Sequence, residues 1–271
     1  MLATILAIFL VASPAPNERV EYVLSELVGN GFSRQEAEAF FNDSRLKMYP
    51  PVAVQPRKID WDKLIAQLVA PDSVERGSQF LHDNLDILSR AEQKFGVEKE
   101  ALVGLLRLES NFGTNTGNYV VFNVFYTSMM RSEEERRWKW FAENLIALAV
   151  YCKNTRNDCF RVQGSYGGAL GPAQFLPKSA ELYGADGDGD GIVDPSKPLD
   201  AIYSAASFLV QHGWNDDKLA ALGKYYGSAN GYPRAVLTYT EALKKHLQAV
   251  SASAPDGAEG KTDSDLIIKT N

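Results

Sequence analysis

Glu109, in the run RLESNFG, is the acidic side chain that helical spacing sets beside an apolar edge: Leu105 and Leu106 precede it by four and three residues and Phe112 follows by three. Desolvation at such a place raises the pKa of a carboxyl and keeps it protonated near neutrality, as a general acid for glycosidic cleavage requires. The competing reading is an ordinary helix glutamate paired with a neighbouring arginine such as Arg107.

A second chemical feature is GSYGGALGPAQFLPKS, from Gly164 to Ser179. Its glycines let the backbone approach something flat and bulky, while Ser165, Tyr166 and Gln174 offer hydrogen bonds and a stacking ring. A phosphate loop would need a Gly-Lys-Ser/Thr ending and a preceding apolar strand, and neither is there. A serine nucleophile elbow around Ser165 fails because Gln163 occupies the first glycine position.

In ADGDGDGIVDPSKPLD, Asp186, Asp188 and Asp190 alternate as at the first, third and fifth places of an EF-hand-like calcium loop. Gly191 supplies the turn and Ile192 would offer its carbonyl. Lys197 stands at the twelfth place, where the loop usually has glutamate, and cannot ligate a cation. Asp200 is the expected replacement and Asp194 its competitor. The plainer alternative is an acidic surface turn, although three clustered carboxylates without a cation would repel one another.

Cys152 and Cys159 lie seven positions apart in a polar segment, a spacing that suits a local disulfide in an oxidising compartment. Two unrelated thiols are the alternative. His82, His212 and His246 form no metal-ligand spacing and read as structural.

The elements that must hold these residues are mainly helical. From Asn17 the apolar residues Val20, Val23, Leu24, Leu27 and Val28 recur with a helical period, and Ser33 with Glu36 forms a capping box for the next helix. The prolines between Tyr49 and Pro56 require an extended connector. Further helices are expected over 73–95, 98–112, 133–151, 199–212, 216–226 and 233–250, with 118–124 the best strand signal. An N-terminal helical part, 17–90, is expected to pack on a core over 91–250 that carries the aspartate loop, 186–200. The segment 251–271 has the composition of a flexible tail.

The 271 residues, 45% of them hydrophobic, suffice for a sizeable core, and a formal net charge of -6 argues against a general nucleic-acid binder. Residues 1–16 read as a signal peptide: the apolar run from Leu2 to Val11 is too short to span a bilayer, and no cysteine follows it to carry a lipid anchor. No Lys or Arg precedes the run, and a buried N-terminal helix is the alternative. The chain is expected to be periplasmic or secreted, without a stable membrane anchor, and monomeric.

Taken together and in this order, RLESNFG, the glycine-rich stretch, the aspartate loop and DAIYSAASFLVQHGW resemble the membrane-bound lytic transglycosylase B family of bacterial cell-wall enzymes, over about Val20 to Val250. The resemblance implies a mainly α fold: a lysozyme-like catalytic core, an N-terminal helical domain and a structural Ca2+ loop. It implies Glu109 as the catalytic acid/base and Ser165, Tyr166 and Gln174 along the glycan groove. Tyr226 and Tyr232 would lie near substrate, with Asp186, Asp188, Asp190, Ile192 and Asp200 on calcium. The implied substrate is peptidoglycan glycan strands, cut between N-acetylmuramic acid and N-acetylglucosamine with a 1,6-anhydro product.

The sequence departs from the family where an asparagine usually follows the tyrosine at Tyr226; here Gly227 stands, and Asn230 is the residue that could reach back. Family tyrosines are also not found near Leu64 and Met130. A hydrolase acting on altered, deacetylated glycan is the nearest alternative. An inactive calcium-stabilised glycan-binding protein is the other, disfavoured by the retained Glu109.

Overall fold

The computed structural model describes residues 16–51, 59–228 and 230–253. The N-terminal apolar run, most of the proline-rich connector and nearly all of the expected tail lie outside them. The described chain opens with α1 (Pro16–Gly29), α2 (Arg34–Asn42), α3 (Trp61–Leu68), α4 (Pro71–Asp83), α5 (Leu85–Phe95) and α6 (Lys99–Ser110). A two-residue strand β1 (Tyr119–Val120) leads into α7 (Val121–Arg131) and the long α8 (Glu135–Thr155). Then come β2 (Gln163–Gly164), α9 (Pro177–Tyr183), α10 (Pro198–Gln211), α11 (Lys218–Tyr226) and α12 (Tyr232–Ser253). Among the described residues no helix is long and apolar enough to cross a membrane.

Local signals place several of these boundaries. Ser33 and Glu36 form the reciprocal capping box that starts α2. Pro at the first turn opens α4, α9 and α10. α5 ends on Gly96 in the left-handed conformation.

Two expectations need correction. The single helix over 73–95 is two, broken at Asn84, whose φ of -119° and ψ of 22° leave the helical region. The strand over 118–124 is confined to Tyr119 and Val120; from Val121 the chain is helical. The β-branched and aromatic residues of VFNVF favour a strand locally, but burial of Val121, Phe122, Val124 and Phe125 overrides that preference.

The apolar residues form two clusters. One gathers α4 to α6 with α10 to α12 around Leu102, Leu105, Leu106, Val236 and Tyr239. The other gathers α1 and α2 with α7 and α8 around Leu27, Phe122, Phe125, Leu145 and Leu148. The N-terminal helices are therefore divided: α1 and α2 serve the second cluster, while Leu68 of α3 and Val74 and Leu81 of α4 serve the first. β1 and β2 pair antiparallel, Tyr119 opposite Gly164, at the start of the glycine-rich loop.

The end of α8 is closed by the Cys152–Cys159 disulfide, with Cα atoms 5.6 Å apart. Natural disulfides of this kind typically contribute about 2–4 kcal/mol.

Helices α4, α6 and α12 pack against one another, and α4 meets α12 directly. The Tyr239 hydroxyl donates to the Ser73 carbonyl at 2.8 Å, and a Cβ on Gly77 would fall 2.1 Å from that hydroxyl. Gly77→Ala should therefore destabilise the fold by about 1–3 kcal/mol, the usual cost of overpacking. In a Tyr239→Phe background the same change should cost clearly less, because the clashing oxygen is gone. Urea unfolding of the four proteins of this cycle measures the difference; equal costs in both backgrounds would refute the packing assignment.

Candidate active site

Glu109 is the penultimate residue of α6 and reaches out where that helix ends. Asn111 and Phe112 both take left-handed φ values, 52° and 61°, so the chain turns sharply just past the carboxyl. Ser110 secures the turn: its hydroxyl donates to the Pro172 carbonyl at 2.6 Å and accepts from the Gly113 amide at 2.7 Å. That buried serine, which no sequence pattern singles out, ties the end of α6 to the glycine-rich loop.

The Glu109 carboxyl accepts a hydrogen bond from the Tyr232 hydroxyl. Burial raises its pKa to about 7, with the Tyr232 hydrogen bond opposing the rise. Its place in the last turn of a helix, the negative end of the helix dipole, also favours the neutral form. Arg107 is engaged elsewhere: its Nε donates to Ser73 Oγ at 3.1 Å and its guanidinium lies over the Phe112 ring. The ordinary ion-paired glutamate is therefore not what the structure holds.

An aromatic column stands over the acid. Tyr232, only 3% exposed at the start of α12, stacks on Tyr226 at 4.5 Å with ring planes 10° apart. Trp61, at the start of α3, meets Tyr226 edge-on at 6.1 Å. Trp61 also fills the space beside Gly231, where a Cβ would lie 2.1 Å from the indole. The tryptophan was not foreseen, because 165 positions separate it from Tyr226 and no local pattern links the two. Tyr225, next in α11, donates to the Ala173 carbonyl at 2.6 Å and so fixes α11 on the glycine-rich loop.

That loop is a set of tight turns. The Ser165 amide donates to the Ala169 carbonyl at 2.9 Å, and Ser165 Oγ accepts from the Ala169 amide at 3.0 Å, so this hydroxyl is committed to the turn. Gln174 takes a φ of 52°, and its side-chain amide donates to the carbonyls of Gly171 at 2.9 Å and Thr116 at 3.3 Å. Tyr166 keeps 47% of its surface exposed, its ring edge-on to Tyr119 at 5.6 Å. Among the described residues, none of these three bonds directly to Glu109.

Asn230 does not reach back toward Tyr226: its Oδ1 accepts from the Tyr232 amide at 3.1 Å, an anchor for the start of α12. Gly227 caps α11 in the left-handed conformation, φ 82°, and a Cβ there would meet nothing within 4 Å.

The aspartate loop lies before α10. Carboxylate oxygens of Asp186, Asp188 and Asp200 come within 4.8 Å of one another. Asp200 is fully buried and accepts from the amides of Gly187 at 2.8 Å and Asp194 at 2.7 Å. Burial raises its pKa while those amides pull it down. Asp194, the competitor for the last ligand position, is taken up by the hydroxyls of Tyr151 and Ser196 at 2.8 and 2.6 Å. Asp190 is not in the cluster; its carboxylate meets Lys197 at 2.6 Å and the Ile192 amide at 2.8 Å.

The three histidines lie outside the acidic cluster. His212 stacks on Phe208 at 3.9 Å, His246 pairs with Glu75 at 3.1 Å, and His82 is exposed beside Asp83. A hollow of about 510 Å³ between α8, α9 and the aspartate loop is lined by Val150, Tyr151, Pro177 and Ile192, not by Glu109. A desolvated acid with a specific hydrogen-bond partner makes Glu109 the candidate for chemistry.

Because the Tyr232 hydroxyl stabilises the charged carboxylate, Tyr232→Phe should move the Glu109 titration midpoint above about 7. Carbon-13 NMR of the labelled glutamate carboxyl reads it; an unchanged or lowered midpoint would exclude the assigned hydrogen bond.

A family model described as a transglycosylase SLT domain matches residues 16–263. The chain is 29% identical over 260 residues to the membrane-bound lytic murein transglycosylase B of Escherichia coli strain K12, covering 87% of this chain and 72% of that relative. The solved Escherichia coli lytic transglycosylase SLT35 in complex with calcium superposes with a TM-score of 0.74 at 21% identity, over 84% of this chain and 93% of that one. SltB3 of Pseudomonas aeruginosa in complex with NAG-NAM-pentapeptide gives 0.73 at 20% identity, over 85% and 80%.

Proposed function

We propose a function from the premise that this chain belongs to the transglycosylase SLT family: it is a lytic transglycosylase that cuts peptidoglycan strands between N-acetylmuramic acid and N-acetylglucosamine. The observation that carries the reading is Glu109, an acid kept neutral up to about pH 7 by burial and contacted by a tyrosine hydroxyl. The 91–250 segment is read as a lysozyme-like core, supported by the SLT-type structural neighbours, with 17–90 as its N-terminal helical part.

One carboxyl can perform both halves of the reaction. The Glu109 proton passes to the glycosidic oxygen; the bond to muramic C1 breaks and its electron pair leaves with that oxygen. The acetamido oxygen of the same muramic residue closes on C1, replacing the second carboxylate that ordinary glycosidases need. Glu109, now a carboxylate and still within reach of the Tyr232 hydroxyl, takes the proton from the C6 hydroxyl. The C6 oxygen displaces the acetamido group at C1, and the 1,6-anhydro product leaves with Glu109 protonated again. No water is consumed.

Trp61, Tyr226 and Tyr232 supply the aromatic wall against which a sugar ring would pack. Ser165, Tyr166 and Gln174 belong to the groove through the shape of their loop, and for Ser165 and Gln174 this means backbone positioning more than free side-chain contacts.

The aspartate loop is read as a structural calcium site. Its donors are all hard oxygens, as calcium prefers, and Asp186, Asp188 and Asp200 already converge. They would hold the ion, which would supply the positive charge that joins the loop to the buried start of α10. The calcium-bound SLT35 supports the reading. The Cys152–Cys159 bridge and the apolar N-terminal run support a periplasmic or secreted location.

Glu109→Gln should abolish cleavage of purified cell walls, general acid catalysis alone being worth roughly 10²- to 10⁴-fold. Mass spectrometry of wild-type digests should find products lighter by one water than hydrolysed ones; reducing-end products would favour the hydrolase. The same variant has a stability signature. The native state keeps the Glu109 proton up to about 7, whereas an unfolded glutamate loses it near 4.5. The native state therefore binds more protons between these values and loses stability as pH rises through them. Glu109→Gln removes that loss and should melt higher than wild type at pH 8 but not at pH 4. A fully active variant, or one with no pH-dependent gain, would contradict the assignment.

Gly227 is the family departure with room beside it, and asparagine is among the residues that best tolerate a positive φ. Gly227→Asn should raise activity on acetylated walls relative to deacetylated ones, about as much as one hydrogen bond worth 0.5–1.5 kcal/mol allows. Parallel digestion of both substrates measures the ratio, and an unchanged ratio would remove Gly227 from the account of specificity.

A further inference from the structure

We infer that Lys197 is the built-in counter-ion of the aspartate loop, bridging Asp188 and Asp190 and competing with calcium for Asp188. The inference rests on the calcium reading of this loop. Counted from Asp186, Lys197 stands at the twelfth position, where an EF-hand loop normally contributes the glutamate that grips the metal with two oxygens. This chain has placed a positive charge where the motif supplies a negative one.

The ammonium makes two contacts, at 2.9 Å to Asp188 Oδ2 and 2.6 Å to Asp190 Oδ2. Among the described residues, Asp186 and Asp200 pair with no such cation. Asp186 accepts from the amides of Gly189 and Gly191 at 2.6 and 2.8 Å, and Asp200 from those of Gly187 and Asp194. Asp188 and Asp190 take backbone amides as well, from Asp190 at 3.1 Å and Ile192 at 2.8 Å, and the lysine is the further donor that these two receive.

Asp188 belongs to both groups. It contributes an oxygen to the cluster with Asp186 and Asp200 and it carries Lys197. A dication held by that cluster would face the ammonium across one carboxylate, and like charges at such range repel. The lysine side chain is 38% exposed on a flexible four-carbon stem, so it can swing into solvent when the cation arrives. Asp190, held by the lysine and by the Ile192 amide, is the aspartate of the alternating series that lies outside the cluster. Calcium should therefore bind more weakly than to the same loop without the lysine, and the loop should keep its shape when calcium is scarce.

The test compares full-length wild type, Lys197→Met and Lys197→Glu by calorimetric melting in chelator and in calcium chloride, and by calcium titration calorimetry. In chelator, Lys197→Met should melt lower than wild type by about 2 °C or more, and Lys197→Glu lower still, because Asp188 and Asp190 lose their cation. With calcium the order should reverse. Lys197→Met should bind calcium about tenfold more tightly than wild type and Lys197→Glu more tightly again, since affinity in such loops follows ligand charge. The gap in affinity should shrink as salt screens the ammonium.

Equal calcium affinity in wild type and Lys197→Met would overturn the competition, and equal melting in chelator would overturn the counter-ion role. A calcium response absent from all three proteins would instead sink the calcium reading of the loop, and the competition with it.

Discussion

Keeping the Glu109 carboxyl neutral near pH 7 takes surroundings dry enough to penalise its charged form, and one helix cannot provide them. Leu105 and Leu106 bury one side of α6, but the rest of the enclosure comes from the glycine-rich loop and from α11 and α12. Ser110 and Tyr225 each bind a carbonyl of that loop, so the acid, the loop and the aromatic column are held as one unit. The Tyr232 hydroxyl pulls the other way, easing ionisation. The resulting group can release a proton and still has a donor waiting for the carboxylate it becomes.

A carboxyl of this kind costs stability, and the scaffold around it is correspondingly firm. α6 is pressed between neighbours closely enough that Gly104 admits α12, a Cβ there falling 3.2 Å from the Val236 carbonyl. The second cluster, built on α7 and α8, carries the β1–β2 pair that opens the glycine-rich loop. The first two helices, α1 and α2, complete that cluster.

The aspartate loop is tied into the same scaffold by a chain of polar contacts. Tyr151, near the disulfide-closed end of α8, donates to Asp194, whose amide in turn donates to the buried Asp200 of α10. Charge balance in the loop therefore bears on how α8 and α10 are joined. None of these contacts reaches Glu109, which fits a stabilising rather than a chemical task for any cation there.

Neighbouring residues encode the part of this arrangement that short-range physics controls. The helical period brought Leu105, Leu106 and Glu109 to one side of α6, the Ser33–Glu36 capping box started α2, and alternating aspartates brought Asp186 and Asp188 together. Cys152 and Cys159 were near enough in sequence for their pairing to be read as a possibility. Tertiary structure decided the rest. It turned the strand-like VFNVF into a helix by burying it, and it set Tyr232 on a glutamate 123 residues away. It brought Trp61 over Tyr226, turned Asn230 to the start of α12 and gave Asp190 to Lys197 instead of to the cluster. Each of these outcomes depends on which distant surface excludes water or supplies a charge, and that is settled only when the helices pack.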